Sequence, residues 1–255
     1  MTYVDLVLLL IIYSFLGWCC ETVYCSVDQK KFVERGFLTG PFCPIYGFGA
    51  IFVLLFLSQS SSSVISVFAI GVLITSTLEY VTSWLMEKIF DNKWWDYSDK
   101  KYHINGRVCL LNSTLFGMLC LYVYFDLNPW ILNLLDSYND DFKMGFLVAL
   151  SMYLIVDFSV ATYTALGIKK YLQELSAKKD ELIEKHNELE ERIREELIND
   201  EMEAFIREGK QKIKFLEKRL LLAFPNIKNK KHQENLSRIR NFLKNKQIKK
   251  IKDKG

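Results

Sequence analysis

The feature that most constrains this chain is a series of five long apolar runs within its first 168 residues. A membrane-spanning helix needs about 20 consecutive, mostly apolar residues, and each run is close to that length. The runs therefore predict an all-α, polytopic membrane helix bundle of about five spans. The predicted spans cover residues 3–20, 42–58, 64–84, 108–125 and 144–168.

A shorter apolar stretch follows the fourth run, at residues 127–135. It is too short to cross a bilayer by itself, and Trp130 is the kind of side chain that lies at a membrane surface. This stretch predicts an interfacial segment or a cap on the fourth span.

Charge divides the chain into two unlike parts. Residues 1–168 carry 9 basic and 14 acidic side chains, whereas residues 169–255 carry 24 basic and 16 acidic ones. We predict a transmembrane bundle at 1–168, a charged cytosolic helix or short coiled coil at 169–224, and a basic tail at 225–255 whose order the sequence leaves open. The basic tail predicts contact with anionic membrane lipid, and no nucleic-acid partner is expected.

Leucines recur every seven residues at the start of the second part. This spacing favours a coiled coil, but three heptads are the minimum for that prediction, so a single charged helix stays open. The pattern predicts self-association through residues 172–193. The seam consists of Leu175, Leu182 and Leu189, flanked by Leu172 and Ile193.

The basic residues of the loops predict an orientation. They are numerous after the first, third and fifth spans, absent after the second, and limited to Lys143 after the fourth. By the positive-inside rule this alternation places the N-terminus outside the cell membrane and the tail in the cytosol. No basic residue precedes the first run, so we expect an uncleaved span there rather than a signal peptide.

Acidic side chains inside the predicted spans are the first candidates for function. Glu79 lies in the third run, Asp157 in the fifth, and Glu21 at the end of the first. Ionisable groups are costly in a membrane and usually face a bundle interior or a wet cavity. One hypothesis is a cavity that binds a cation or shuttles protons; the other is that these acids only hold helices together.

Two arginines are the natural partners of these acids. Arg35 follows the first span, and Arg107 lies at the entry of the fourth, where free helix N–H groups favour an anion. The partner of Arg107 is predicted to be a lipid phosphate, a substrate carboxylate or Glu79, unless the side chain only extends to the headgroups. The predicted substrate-binding set is Glu21, Arg35, Glu79, Arg107 and Asp157.

Two loops have unusual compositions. The stretch 35–49 holds four glycines and two prolines, which is incompatible with one regular helix. It predicts either a re-entrant or broken entry into the second span, or an ordinary loop before a glycine-rich helix. The stretch 87–107 predicts either an interfacial aromatic belt or a lid over the site. Its candidate residues are Trp94, Trp95, Asp96, Tyr97 and Asn105.

The sequence carries none of the common catalytic signatures. It has no GxxxxGK[ST] phosphate loop, no GxSxG elbow and no HExxH zinc motif. Its six cysteines include no CxxC pair. No metal and no cofactor are predicted, and an enzymatic activity is left open.

Several local motifs resemble a known family. The first block comprises Gly17-Trp18-Cys19-Cys20-Glu21, the run from Arg35 to Pro41, and Pro44-Ile45-Tyr46-Gly47. The second comprises Leu78-Glu79-Tyr80, Ser83-Trp84, Glu87, the run from Trp94 to Ser98, and Asn105-Gly106-Arg107-Val108-Cys109. Over residues 10–125 the chain is similar to the bacterial type IV, CmpB-like family of ABC-transporter permeases.

The resemblance implies an integral protein of the bacterial cell membrane with a transport role. Driving transport by ATP would need a separate ATPase partner, because this chain has no phosphate loop. Two other hypotheses stay open from the residues alone. One is a non-transporting membrane scaffold or sensor that acts through its tail, and the other is a membrane-embedded lipid-modifying enzyme.

Overall fold

Helices make up most of the regular structure. The computed structural model describes residues 2–30, 32–57, 63–185, 191–208, 215–224, 226–229 and 232–241. Its helices are α1 (Tyr3–Gln29), α2 (Pro44–Leu57), α3 (Val64–Phe90), α4 (Leu110–Tyr122), α5 (Asn128–Asp136), α6 (Asp140–Lys185), α7 (Glu191–Glu208) and α8 (Phe215–Ala223). Four two-residue strands are β1 (Asn92–Lys93), β2 (His103–Ile104), β3 (Val108–Cys109) and β4 (Lys228–Asn229). Residues 233–241 are also helical.

The predicted all-α membrane bundle is confirmed. Over the residues that the structure describes, four helices are long and apolar enough to cross a bilayer, namely α1, α3, the α4–α5 helix and α6, and α2 is a shorter apolar helix of 14 residues. The chain runs back and forth along the bundle, so that the tail emerges at the end opposite the N-terminus. We call the end that carries the tail the tail side.

The stretch 127–135 is not a separate interfacial segment. Residues Leu110–Asp136 form one continuous helix of 27 residues, in which a π-helical turn at Val123–Leu127 joins α4 to α5. Pro129 lacks an N–H and its ring crowds the preceding turn, and the wider π turn accommodates this local change. The hydroxyl of Tyr13 donates to Asn128 at 3.1 Å, so α5 packs against α1 within the bundle.

The short length of α2 follows from the path of the loop before it, residues 32–43, which we call the glycine-rich loop. The amide of Val33 donates to the Ser26 hydroxyl at 3.0 Å, and the amide of Cys43 donates to the Ser14 carbonyl at 2.9 Å. These two serines lie 12 residues apart on α1, about 18 Å along the helix axis. The loop therefore descends into the bundle, and α2 begins inside it.

The tail folds onto the end of α6. This helix has 46 residues and is about 70 Å long, whereas the apolar core of a bilayer is about 30 Å thick. Leu172, Leu175 and Leu182 of its distal half are buried against α7 and α8. Two leucines of the predicted heptad seam, Leu175 and Leu182, and the flanking Leu172 thus pack within the same chain. Leu189 lies outside the described residues.

Candidate functional site

Glu79 lies on the buried face of α3, and its side chain is 6 % exposed. The hydroxyl of Tyr97 donates to its Oε1 at 3.0 Å. The other carboxylate oxygen, Oε2, is fully buried and has no hydrogen-bond partner among the described residues. An acid in this position is costly unless it carries a proton or lies beside a positive charge.

Glu21, on α1, lies within electrostatic range of Glu79. Its carboxylate forms an ion pair with Arg35 at 3.3 Å, and it is hydrogen-bonded to the hydroxyl of Tyr46. Two carboxyl groups from different helices therefore share one region of the bundle. One guanidinium accompanies them there.

The approach of Tyr46 depends on a glycine of α1. Gly17 lies one turn before Glu21, and a Cβ atom built at Gly17 would be 2.3 Å from the Cβ and Cγ of Tyr46. Any larger residue would displace Tyr46, because those atoms belong to the inflexible base of its side chain. Small residues permit such close helix contacts in membranes.

Residues 91–109, which we call the cover loop, bring Tyr97 to the site. Its strands β2 and β3 form an antiparallel hairpin whose turn residues Asn105 and Gly106 have φ values of 51° and 64°. An Asn-Gly pair with both φ angles positive is typical of a type I′ hairpin turn. The Tyr97 amide donates to the Gly106 carbonyl at 2.8 Å, so the hairpin turn fixes the backbone of Tyr97.

The cover loop is tied to α3 by Asn105 and is held together internally by Trp95. Asn105 donates to the Tyr80 hydroxyl at 2.9 Å, and the indole N–H of Trp95 donates to the Arg107 carbonyl at 2.9 Å.

Burial raises the pKa of Tyr97, and the neighbouring Glu79 carboxylate raises it further. The Tyr97 hydroxyl therefore keeps its proton and remains a donor to Glu79.

Asp96, next to Tyr97, collects hydrogen bonds from two parts of the chain. It accepts from Lys93 at 2.7 Å and from the Ser98 hydroxyl at 2.6 Å, and it is also bonded to Lys228 of β4. Burial acts to raise the pKa of Asp96, but the hydrogen bonds from Lys228, Lys93 and Ser98 outweigh it and hold that pKa below its ordinary value. Asp96 is therefore ionised at neutral pH.

Gly106 is required at this point for space as well as for its positive φ. A Cβ built there would lie 2.1 Å from a carboxylate oxygen of Asp96. The hairpin turn thus packs directly on the Asp96 cluster.

Arg107 is buried, with 9 % of the residue exposed, but it does not pair with Glu79. Its guanidinium donates to Glu87 at 2.7 Å and to the Ser83 hydroxyl at 3.1 Å, and it lies 5.6 Å from the ring centre of Tyr80. All three partners lie on α3. Arg107 therefore fastens the entry of α4 to α3.

Asp157 holds the glycine-rich loop. Its two carboxylate oxygens accept from the amides of Thr39 and Gly40, each at 2.8 Å. Non-helical backbone within a membrane needs such partners, and hydrogen bonds from amides to a carboxylate are stronger than neutral ones. Both oxygens of Asp157 are thereby engaged at the loop rather than with Glu79.

Arg219 of the tail lies on the other side of the same loop. It donates to the carbonyls of Leu38 and Thr39 and forms an ion pair with Glu34 at 3.5 Å. Arg35 reaches towards the tail, donates to the Ala223 carbonyl and lies 5.1 Å from the ring centre of Phe224.

The structure thus brings Glu21, Arg35 and Glu79 together and adds two tyrosines, Tyr46 and Tyr97. Sequence reasoning missed Tyr46 and all the tail residues at this end of the bundle. Tyr46 lies in the Pro44-Ile45-Tyr46-Gly47 motif of the family resemblance, but its residue type does not indicate a contact with Glu21. The tail does carry one, since Leu220 to Phe224 form an apolar cluster within a strongly charged segment.

One comparison with known proteins gives a match. A family model described as "Putative ABC-transporter type IV" matches residues 8–162, which is more than half of the chain. No curated protein and no solved structure matches this chain. The matched range includes the glycine-rich loop, the cover loop and all the predicted site residues, whereas the tail lies outside it.

Proposed function

The chain belongs to the family described as "Putative ABC-transporter type IV" and is a transporter-related membrane protein. On that premise we propose that it is a permease component in which Glu79 binds a proton or a small cation. The observation that carries this proposal is the second carboxylate oxygen of Glu79, which is buried and has no hydrogen-bond partner within the described part of the chain. An oxygen of this kind is available to a proton or to a cation.

The charges around Glu79 support the same proposal. Glu21 and Glu79 lie close together, and their one described cationic neighbour is Arg35, which pairs with Glu21. A proton or a cation at Glu79 would balance the remaining negative charge. Such an exchangeable positive charge inside a bundle is typical of the ion pathways and proton relays of membrane transporters.

A separate ATPase subunit is part of the proposal. The family name implies ATP-driven transport, and this chain lacks the phosphate-binding loop of such ATPases. By the predicted orientation the tail side is cytosolic. We therefore propose that the ATPase binds there, where both loops and the tail are presented.

The test compares the purified wild type with Glu79→Gln across a panel of cations and pH values. A ligand that binds only the folded state raises thermal stability by mass action. We expect at least one cation, or the proton, to change the melting temperature of the wild type but not that of Glu79→Gln. Asp126→Asn is the matched control, because Asp126 is an exposed acid of a spanning helix, and it should respond like the wild type.

The opposite result is equally informative. If Glu79→Gln melts at a lower temperature but responds to every cation and to pH as the wild type does, Glu79 only holds helices together. The tail contacts would then favour the second candidate, a membrane scaffold or sensor that acts through its tail.

A further inference from the structure

The tail contacts the cover loop through a short strand pairing. Strand β4 pairs antiparallel with β1, so that Asn229 lies opposite Asn92. The side-chain amide of Asn229 donates to Asn92 Oδ1 at 2.8 Å and to the Asp91 carbonyl at 2.9 Å. Both asparagines are buried, so these polar groups depend on each other for their hydrogen bonds.

Aromatic side chains strengthen this contact. Phe224, at the end of α8, packs edge-on against Trp94 with ring centres 4.9 Å apart. On its other side Trp94 meets Phe37 of the glycine-rich loop, with ring centres 5.3 Å apart. Edge-to-face aromatic pairs are favourable beyond the area that they bury. One tail residue is thereby joined to both loops.

An ion pair connects the tail to the residue next to Tyr97. Lys228 pairs with Asp96, which is 5 % exposed in its side chain, whereas Lys228 is 53 % exposed. Tyr97, the next residue in the chain, donates its hydroxyl to Glu79. Lys228 is therefore one of the tail residues that hold the segment covering Glu79.

The second carboxyl group is connected to the tail as well. Arg35 pairs with Glu21 and also donates to the Ala223 carbonyl, and Arg219 holds the carbonyls of Leu38 and Thr39. The tail therefore contacts the immediate neighbours of both acids. These tail residues all lie beyond residue 162, outside the range that the family model matches.

We propose that α8, Phe224 and β4 form an intramolecular latch that holds the cover loop closed over Glu79. The latch is built to open, because its strand pairing is only two residues long and its ion pair is half exposed to solvent. When it is closed, Tyr97 stays on Glu79 and water does not reach the carboxyl group. When it opens, the cover loop is free to move. The functional consequence rests on the proposed role of Glu79, but the closure itself does not.

The experiment breaks the ion pair with Lys228→Gln in the full-length chain. Lys218→Gln is the matched control, since Lys218 carries the same charge on α8 and forms no ion pair among the described residues. Two quantities are measured in each protein. One is amide hydrogen exchange over residues 91–109, and the other is the rate at which a water-soluble carbodiimide modifies Glu79, followed by mass spectrometry.

We expect both rates to rise about fivefold in Lys228→Gln, as loss of a partly exposed ion pair implies, and to stay unchanged in Lys218→Gln. Raising the salt concentration should produce the same rise in hydrogen exchange over residues 91–109 of the wild type, since salt screens exposed charges, and should add little in Lys228→Gln. The salt titration requires no substitution, so a folding defect in the variant would not hide the answer.

The latch is refuted if both rates stay unchanged in Lys228→Gln and hydrogen exchange stays unchanged in high salt. It is refuted as well if Lys218→Gln raises both rates as much as Lys228→Gln does. It is also refuted if exchange rises while the modification of Glu79 does not, because the latch would then not control access to the site. Hydrogen exchange depends neither on transport nor on cation binding, and the carbodiimide rates of the variants are compared at one pH and one cation concentration. Failure of the latch is thus distinguishable from failure of the proposed role of Glu79, which its own stability test decides.

Discussion

At the scale of single residues, two carboxyl groups have different surroundings. Glu21 has a cation and a hydroxyl beside it, whereas Glu79 has a hydroxyl on one oxygen and no described partner on the other. A close contact between α1 and α2 brings Tyr46 to Glu21. That contact depends on the absence of a side chain at Gly17.

This contact predicts that Gly17→Ala destabilises the protein. The added methyl group would overlap the base of Tyr46, and overpacking of this kind costs about 1–3 kcal/mol. We expect the melting temperature in detergent to fall by several degrees. Gly145→Ala is the control, because nothing lies within 4 Å of a Cβ built there, and it should leave the melting temperature unchanged or slightly raised. Equal effects of the two substitutions would contradict the packing argument.

At the scale of elements, the backbone of the glycine-rich loop is held by hydrogen bonds to other parts of the chain. Its backbone has partners on α1, on α6 and on the tail. Buried backbone groups need such partners when no regular ladder supplies them. The loop therefore lets α2 begin inside the bundle and brings Arg35 to Glu21.

The loop should loosen when its anchor on α6 is changed. In Asp157→Asn the two oxygens that accept from Thr39 and Gly40 become one carbonyl oxygen and one amide donor. Replacing a charged acceptor by a donor beside a buried amide lowers the stability of the contact by about 1–3 kcal/mol. Hydrogen exchange of the Thr39 and Gly40 amides should therefore quicken about tenfold. Asp126→Asn, which alters an exposed acid, should not affect them. Unchanged exchange in Asp157→Asn would show that the loop is held by its other partners.

At the scale of the whole molecule, the tail and the bundle form one structure. The core at the tail side includes residues of α3, of the cover loop, of α6 and of the tail helices. Its polar contacts include Asp96 with Lys228 and Glu234 with Lys179. The hydrogen bond from Lys179, which outweighs the opposing effect of burial, likewise lowers the pKa of Glu234.

These lowered pKa values predict how the tail contact depends on pH. A carboxyl group whose pKa is lower in the folded state contributes stability above its unfolded pKa, and that stability is lost as pH falls through the folded value. Asp96 is such a group, and its ordinary pKa is 3.8. We expect hydrogen exchange over residues 91–109, corrected for the intrinsic rate, to be constant between about pH 5 and 8. A marked change within that range would mean that another group controls the contact.

The sequence by itself determined the membrane bundle and the acids within it. Both are local properties, because an apolar run of about 20 residues is long enough to form a spanning helix, and a charge within such a run usually faces the interior of the bundle. The Asn105-Gly106 pair is also a local signal, since it is typical of a hairpin turn. Only the tertiary structure decided which partners those acids have. Arg107 pairs with Glu87 rather than Glu79, and Asp157 holds a loop.

The contact between the tail and the site was likewise decided by the tertiary structure alone. Lys228 and Asp96 are 132 residues apart in the chain, and a two-residue strand has no periodicity from which a pairing could be predicted. Their meeting depends on the length of α6 and on the return of α7 and α8 along it. Such a contact arises from the relative positions of whole helices, which the packing of the folded chain decides.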